Sequence, residues 1–247
     1  MRRRIARNMM VMGLALGGIL AAGAAEVSLE ADVFSQYVWR GQVLNDRPVF
    51  QPGLSAESDV GLSVGVWASM DLTDRNGAER EFSEVDLWVA YAVPLEGPLG
   101  VEVSYTEYLW PNAELAPVRE AALALSFDVP LAPTLTAAQD LDTGGALYVS
   151  LSLGHTVELS ERLGLDLGGS LGWATAGYNE LYFEEDQAAL NDVAFTAALT
   201  ADLGRGVSLG ISVQYSMLPD RDIREAARLL YAGDTAWVAG LRLGYRF

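Results

Sequence analysis

The sequence predicts an all-β protein, a closed antiparallel transmembrane β-barrel of about twelve strands preceded by a cleaved signal peptide. Three observations predict this fold class. Apolar and polar residues alternate with a period of two along most of the chain, as in strands with one apolar and one polar face. Hydrophobic residues make up 51% of the sequence, yet no apolar run beyond the N-terminal segment is long enough for a helical membrane span. The chain also ends on an alternating segment, AGLRLGYRF, with an aromatic last residue.

The first 25 residues have the layout of a secretory signal peptide. Four arginines between Arg2 and Arg7 form a basic region, an apolar stretch follows over residues 9–20, and small residues around Ala24 offer a cleavage site. We therefore expect residues 1–25 to be removed on export. An uncleaved membrane anchor is the alternative, and the shortness of the apolar stretch argues against it. The mature domain is then 26–247.

The charge of the mature chain excludes several classes of function. All basic residues are arginine, and the mature chain keeps 12 of them against 33 acidic residues, a formal net charge of −21. Such acidity argues against nucleic acid as a partner, because phosphate binding needs a basic surface. The chain has no cysteine, so it forms no disulfide and has neither thiol catalysis nor thiolate metal sites.

Twelve segments carry the strand pattern, and turn-forming residues separate them. The second and seventh are weakly marked, so ten or fourteen strands remain open. In chain order the segments cover residues 27–41, 49–58, 61–72, 83–93, 99–110, 119–129, 134–141, 146–159, 163–175, 192–203, 207–218 and 235–247.

Most of the long connections between these segments alternate with short ones, as in outer-membrane barrels with long outer loops and short periplasmic turns. The exception is the DTGG connection, 142–145, an outer loop as short as a turn. The last long connection, 219–234, predicts a short helix. Asp222 and Glu225 resemble a capping box, and Gly233 is a natural stop. This helix either folds into the pore as a plug or lies solvated outside it.

The alternation predicts apolar residues facing lipid and polar residues facing the lumen. A soluble barrel would have the opposite sense, but twelve strands enclose more space than alanine, valine and leucine side chains could fill. Aromatic residues near strand ends on the apolar face are typical of the girdles at membrane–water interfaces. They are Tyr37, Trp39, Tyr91, Trp173, Tyr215, Trp237, Tyr245 and Phe247.

The polar face predicts an acidic lumen. Rings of carboxylates on a wall of low dielectric constant attract cations and repel anions, and twelve strands leave only a narrow bore. The predicted lumen-lining charged residues are Glu30, Asp32, Arg40, Asp71, Glu84, Asp86, Glu102, Glu120, Asp128, Asp166, Asp192, Asp202, Arg242 and Arg246.

A motif in the first third of the mature chain resembles the TorF-type family of outer-membrane porins. In that family a first strand ends in Tyr-x-aromatic-Arg-Gly, here residues 37–41, and a Gly-x-Trp-x-Ser strand follows, here 65–69. A Glu-x-Asp strand comes next, here Glu84 and Asp86. The resemblance implies an outer-membrane barrel with a porin function. Arg40 is expected either in a constriction or in a wall-bracing pair with Glu84 or Asp86.

The sequence predicts a channel with no covalent chemistry. The single histidine, His155, falls on the lipid face near the periplasmic end of its strand, too deep for lipid hydrolysis at the outer leaflet. We therefore expect no enzyme, no metal and no cofactor. The predicted function is a cation-preferring outer-membrane porin or narrow diffusion channel, in contact with outer-membrane lipid, small ions or solutes, and the barrel-assembly machinery through the C-terminal strand. The alternative is a non-conducting barrel that acts as an adhesin, receptor or structural protein through its outer loops.

Overall fold

The computed structural model describes residues 25–77 and 79–247. Within them no helix is both long and apolar enough to cross a membrane. The predicted signal peptide lies outside the described residues, apart from Ala25, the first residue of β1.

The wall is a closed barrel of twelve antiparallel strands, so the predicted fold class is confirmed. The first and last wall strands pair with each other, with Leu29 opposite Tyr245, and this pairing removes the sheet edges. Each other wall strand pairs with its neighbours in the wall. The wall strands are β1 Ala25–Phe34, β4 Val49–Ser58, β5 Leu62–Asp71, β6 Phe82–Val93, β7 Leu99–Leu109, β8 Val118–Phe127, β9 Thr134–Asp140, β10 Leu147–Ser160, β11 Leu163–Ala174, β12 Ala189–Gly204, β13 Val207–Met217 and β14 Thr235–Arg246.

The two ends of the barrel differ. Both described chain ends and the short turns, such as residues 205–206, lie at one end, called here the turn end. The longer connections, including 175–188 and 218–234, lie at the other end, called the loop end. This alternation agrees with the sequence prediction.

The outer face of the wall is apolar. Large side chains such as Phe195 and Ile211 are 57% and 58% exposed although they lie within strands. Their strand neighbours Thr196 and Ser212 face the interior, where both line a cavity. Burying this outer surface in hydrocarbon stabilises the fold, because apolar area is costly in water.

The first predicted strand is wrong beyond residue 34. The wall strand β1 ends at Phe34, which pairs directly with Val49 of β4. The chain between them leaves the wall and forms a separate two-stranded hairpin, β2 Tyr37–Trp39 and β3 Gln42–Asn45. Its turn residues Arg40 and Gly41 both have positive φ angles, 46° and 78°, as a two-residue hairpin turn requires.

Two helices lie at the loop end. Helix α1, Ala176–Phe183, was not predicted. Helix α2, Arg221–Leu230, confirms the predicted helix in 219–234. Its cap differs from the prediction, because the side chain of Asp220 accepts the backbone N–H groups of Asp222 and Ile223. The helix also ends three residues before the predicted stop at Gly233.

The two helices close the loop end with an apolar core. Ile223 and Ala227 of α2 are fully buried with Tyr178 and Phe183 of α1 in one cluster, which also includes residues at the ends of wall strands. The opposite side of α2 faces outward, since Leu229 is 88% exposed. Helix α2 is therefore amphipathic and contributes one face to a plug, so neither predicted alternative describes it fully.

Candidate functional site

The β2–β3 hairpin lies inside the barrel and contacts the wall in several directions. The Tyr37 hydroxyl donates a hydrogen bond of 2.9 Å to Glu84 on β6, and its ring lies 5.5 Å from that of Trp67 on β5. The Trp39 ring packs edge-on against Tyr108 on β7 at 5.8 Å. One strand of the hairpin, β2, is thereby fixed to three adjacent wall strands.

Arg40, at the hairpin tip, makes the most extensive of these contacts. Its guanidinium donates two hydrogen bonds, of 2.8 and 2.9 Å, to the two carboxylate oxygens of Glu120 on β8. It lies between the rings of Trp39 and Tyr148, 4.5 and 4.3 Å from their centroids. The Arg40 and Glu120 side chains are only 15% and 11% exposed. The pairing predicted with Glu84 or Asp86 is therefore wrong, and Arg40 braces a different strand.

The far side of the hairpin meets the remaining wall. A Cβ atom added at Gly41 would come within 2.8 Å of Asp192 on β12 and would also collide with Leu218. Val43 packs with Ala236 and Val238 of β14 in a buried cluster. Because these contacts reach β5 to β8 on one side and β12 to β14 on the other, the hairpin spans the bore.

Between the hairpin and the turn end the lumen is open. A cavity of about 700 Å³ lies beneath the hairpin, and Tyr37 and Trp39 form part of its lining. A second cavity, of about 640 Å³, lies at the turn end. Both are lined by Asp166 and Thr200, so they adjoin within the bore. The lumen is thus a polar vestibule that the hairpin and helices close at the loop end.

The predicted lumen-lining charges fall into three groups. Those at the vestibule cavities are Glu30, Asp86, Asp166, Asp202, Arg242 and Arg246. Those held by partners are Asp32, Arg40 with Glu120, Glu84 with Tyr37, and Asp192 with Tyr148; the partner of Asp32 is Arg242 of the first group. Those outside both groups are Asp71, Glu102 and Asp128.

The last group needs individual description. Asp71 is buried at the loop end of β5, where it accepts hydrogen bonds from Asn76 and Ser83. Glu102 lies mid-strand in β7 on the same face as Tyr108, which points to the lumen. Asp128 is not in the wall, because β8 ends at Phe127 and Asp128 begins a turn.

The predicted aromatic girdles are partly corrected. Tyr37 and Trp39 belong to the hairpin and not to the outer face, because the chain leaves the wall before them. Tyr91, Tyr245 and Phe247 lie on the outer face toward the turn end. Toward the loop end lie Trp173, Tyr215 and Trp237, of which the last two pack together at 4.8 Å.

Sequence reasoning missed the lumenal aromatic cluster. It consists of Trp67, Tyr108, Tyr148, Tyr178 and Tyr182, whose rings contact the hairpin or one another. The sequence contained one signal of it, the aromatic residues Tyr37 and Trp39 immediately before the Arg40-Gly41 turn. Burial raises the pKa of Tyr178 and of Tyr182 above the ordinary tyrosine value, so both hydroxyls of α1 stay protonated at neutral pH.

His155 lies in β10, opposite Leu167 of β11, in the half of the strand nearer the turn end. This is the depth that the sequence predicts. Within residues 25–77 and 79–247, no three potential metal ligands of the types His, Cys, Asp and Glu cluster closely enough to hold a metal ion.

Comparison with known proteins gives one family and a set of similar folds. A family model described as bacterial protein of unknown function (Gcw_chp) matches residues 20–242. No curated protein matches the chain.

Three solved structures illustrate the fold. The KdgM porin has a TM-score of 0.55 at 7% identity, over 90% of this chain and 99% of its own. The NanC porin has 0.51 at 13%, over 91% and 99%. LpxR from Salmonella typhimurium has 0.52 at 10%, over 89% and 100%. At these identities the likeness is one of fold.

Proposed function

The chain belongs to the Gcw_chp family of bacterial proteins of unknown function, and from its own structure we propose that it is an outer-membrane channel of the porin type. The observation that carries this proposal is a closed barrel with an apolar outer face around a polar vestibule. An apolar exterior suits acyl chains, and a polar interior suits water and solutes. The narrower TorF-type assignment is part of this proposal.

The expected setting follows from the same features. The turn end faces the periplasm and the loop end faces outward, as in bacterial barrels with short periplasmic turns. Outer-membrane lipid covers the apolar face. The alternating C-terminal strand, which ends at Phe247, would present the barrel to the assembly machinery.

The conducted ions are proposed to be cations. The turn-end cavity is lined by two arginines that form no ion pair within the described residues, Arg162 and Arg205, and by five acidic residues, Glu30, Glu158, Glu161, Asp166 and Asp202. Arg242 and Arg246 are paired with Asp32 and Glu26 at 2.9 Å. The unbalanced charge is therefore negative. A negative lumen with low-dielectric walls raises the local concentration of cations.

The hairpin is proposed to act as the gate of this channel. It fills the bore between the vestibule and the loop end, and its tip is held by the Arg40–Glu120 pair. Conduction then requires the hairpin to move. The strand pairing of the wall does not include the hairpin, because Phe34 of β1 pairs directly with Val49 of β4.

The same plug favours a second candidate, a non-conducting barrel that acts through its outer loops. The apolar core of α1 and α2 seals the loop end as a packed protein interior does, and a permanent seal would leave only a surface function. An adhesin, a receptor and a structural protein all fit this alternative.

Planar-bilayer recording under a KCl gradient distinguishes the two candidates. The channel proposal expects discrete current steps whose reversal potential has the sign of cation preference. The matched control is Asp202→Asn, which removes one vestibule charge and should move the reversal potential toward zero. Stable insertion without any current steps would reject the channel and favour the alternative.

A further inference from the structure

Two carboxyl groups beneath the hairpin have no basic partner. Glu84 and Asp86 are two residues apart on β6 and share its lumenal face. Arg40 and Arg242, the lumenal arginines at this level, are bound to Glu120 and Asp32. Among the described residues, no arginine is within ion-pair distance of either carboxyl group. The two carboxyl groups hydrogen-bond each other, so they share a proton, and a cation placed beside them would replace that proton as the compensating charge.

Asp86 is the less satisfied of the two. Glu84 accepts the hydrogen bond from Tyr37, whereas Oδ1 of Asp86 is buried without a hydrogen-bond partner. Asp86 is also the one of the two that lines the 700 Å³ cavity. The carboxyl pair therefore borders open space through Asp86.

Aromatic rings flank Asp86 on both sides. In the strand register, Trp67 of β5 and Tyr108 of β7 lie directly opposite it, and side chains at such positions are neighbours on one face of the sheet. The Tyr37 ring lies beside Trp67. A carboxylate among aromatic faces is the arrangement that attracts an organic cation, through charge and through the ring quadrupoles.

The cavity has room for such a ligand and a route to it. Its volume is within the range of small-molecule sites, and it adjoins the turn-end cavity at Asp166 and Thr200. A solute can therefore reach Asp86 from the turn end while the hairpin stays in place.

We propose that this cavity binds a small organic cation with a primary ammonium group, with Asp86 as its counter-charge and Trp67 and Tyr37 as its aromatic wall. Gln51 and Thr196, which also line the cavity, offer oxygen acceptors to the N–H groups of a primary ammonium. A neutral sugar brings no charge that could replace the proton shared by the carboxyl pair. The proposal names a solute class for the channel proposed above, but binding itself does not require conduction.

Isothermal titration calorimetry of the full mature barrel in detergent tests this site. The probe is n-butylammonium chloride, and n-butanol is the neutral comparison with the same carbon chain. We expect n-butylammonium to bind and n-butanol to bind at least about tenfold more weakly, because only the ammonium interacts with the carboxylate. Equal binding of the two, or binding of neither, overturns the proposal.

Asp86→Asn tests the assignment to this residue, with Asp59→Asn as the control. Asp59 is an exposed turn residue at the turn end, so its substitution makes the same change of charge away from the cavity. We expect at least about tenfold weaker n-butylammonium binding in Asp86→Asn only. Trp67→Leu, which keeps the carboxylate, should weaken binding by a smaller factor. Unchanged affinity in Asp86→Asn contradicts the proposal.

This outcome is separable from that of the channel. If n-butylammonium binds to a barrel that carries no current, the binding-site proposal is supported and the channel proposal is rejected. If the barrel carries cation current but does not bind n-butylammonium, the channel proposal is supported and the binding-site proposal is rejected.

Discussion

Glu120→Gln is the most informative perturbation of the gate. The substitution keeps the shape of the side chain and removes the charge that the Arg40 guanidinium contacts at 2.8 and 2.9 Å. Arg40 is then left as a buried cation without a carboxylate partner, beside the rings of Trp39, Tyr148 and Tyr178. Both members of the pair are more than four-fifths buried, so solvent screens their interaction only weakly.

The magnitude follows from this burial. Removing one partner of a buried ion pair costs about 3–5 kcal/mol, and the shape and hydrogen-bonding capacity of the amide place Glu120→Gln near the lower value. A cost of about 3 kcal/mol corresponds to about a hundredfold in an equilibrium constant. If the pair forms only with the hairpin in place, the ratio of displaced to seated hairpins rises by about that factor.

The assay is the open fraction in bilayer recordings, at fixed voltage and salt. Arg221→Gln is the control, because it breaks the exposed Arg221–Glu225 pair on α2, which solvent screens so that it contributes little. We expect a large rise in open fraction for Glu120→Gln and little change for Arg221→Gln. The same open fraction in both variants and the unmodified protein would refute the gating role of the Arg40–Glu120 pair.

Three further predictions concern stability. Gly41→Ala should lower the free energy of unfolding by about 1–3 kcal/mol, because the φ of Gly41 is 78° and a Cβ atom would strike Asp192 and Leu218. The control is Gly77→Ala, where φ is 83° but a Cβ atom would meet open space, so thermal melts should show a smaller loss. Asp220→Ala should destabilise α2 by about 1 kcal/mol through loss of its cap, and equal proteolysis of that loop in both proteins would contradict this. The hydrogen bonds from the Arg119 side chain lower the pKa of the Asp142 carboxyl group. At pH values above the ordinary aspartate pKa this contact stabilises the 141–146 loop, and the stabilisation is lost as the pH falls through the lowered pKa. Hydrogen exchange at the Arg119 amide, which donates to Asp142, should therefore stay slow below pH of about 3.9, and fast exchange there would count against it.

The wall was predictable from sequence because its signal is local. Each strand must put apolar residues toward lipid and polar residues toward the lumen, so the alternation is visible in the sequence of each strand by itself. Even the weakly marked segment 49–58 proved to be a wall strand, β4. Pro52 made the prediction of this segment as a strand weak, because proline has no backbone N–H group to donate. In the structure Pro52 lies within β4, opposite Ala31 of β1.

The hairpin was not predictable in the same way because its departure from the wall is decided by a distant strand. The alternation of apolar residues from Val27 is interrupted at Ser35 and resumes at Tyr37 and Trp39, so the local pattern marks the end of β1 at Phe34 only weakly. The end of β1 is set by the pairing of Phe34 with Val49 of β4. The lumenal aromatics that receive the hairpin come from several different strands, and only the closed barrel brings them together.

Helix α1 was missed for a different reason. Its N-cap residue, Thr175, makes no side-chain capping bond, and its first turn has no acidic residue. Threonine is a common N-cap residue, but without an acidic residue in the first turn it is a weak signal of a helix start. Packing of Tyr178 and Phe183 against α2 supplies the stabilisation instead, in keeping with the dominance of tertiary packing over propensity in short helices.

The central claim is that a water-filled, acidic bore is closed at the loop end by the inward hairpin, on which helix α1 packs through Tyr178 and Tyr182. Replacing residues 35–48 with a two-residue Asn-Gly turn tests it most directly, because Phe34 and Val49 already face each other across the wall and such a turn suits an antiparallel pair. The account predicts that bilayer recordings under a KCl gradient give larger and steadier currents for this variant than for the unmodified protein, with the reversal potential of a cation-preferring pore. A correctly folded variant that carries no more current than the unmodified barrel, or one that prefers anions, would contradict it.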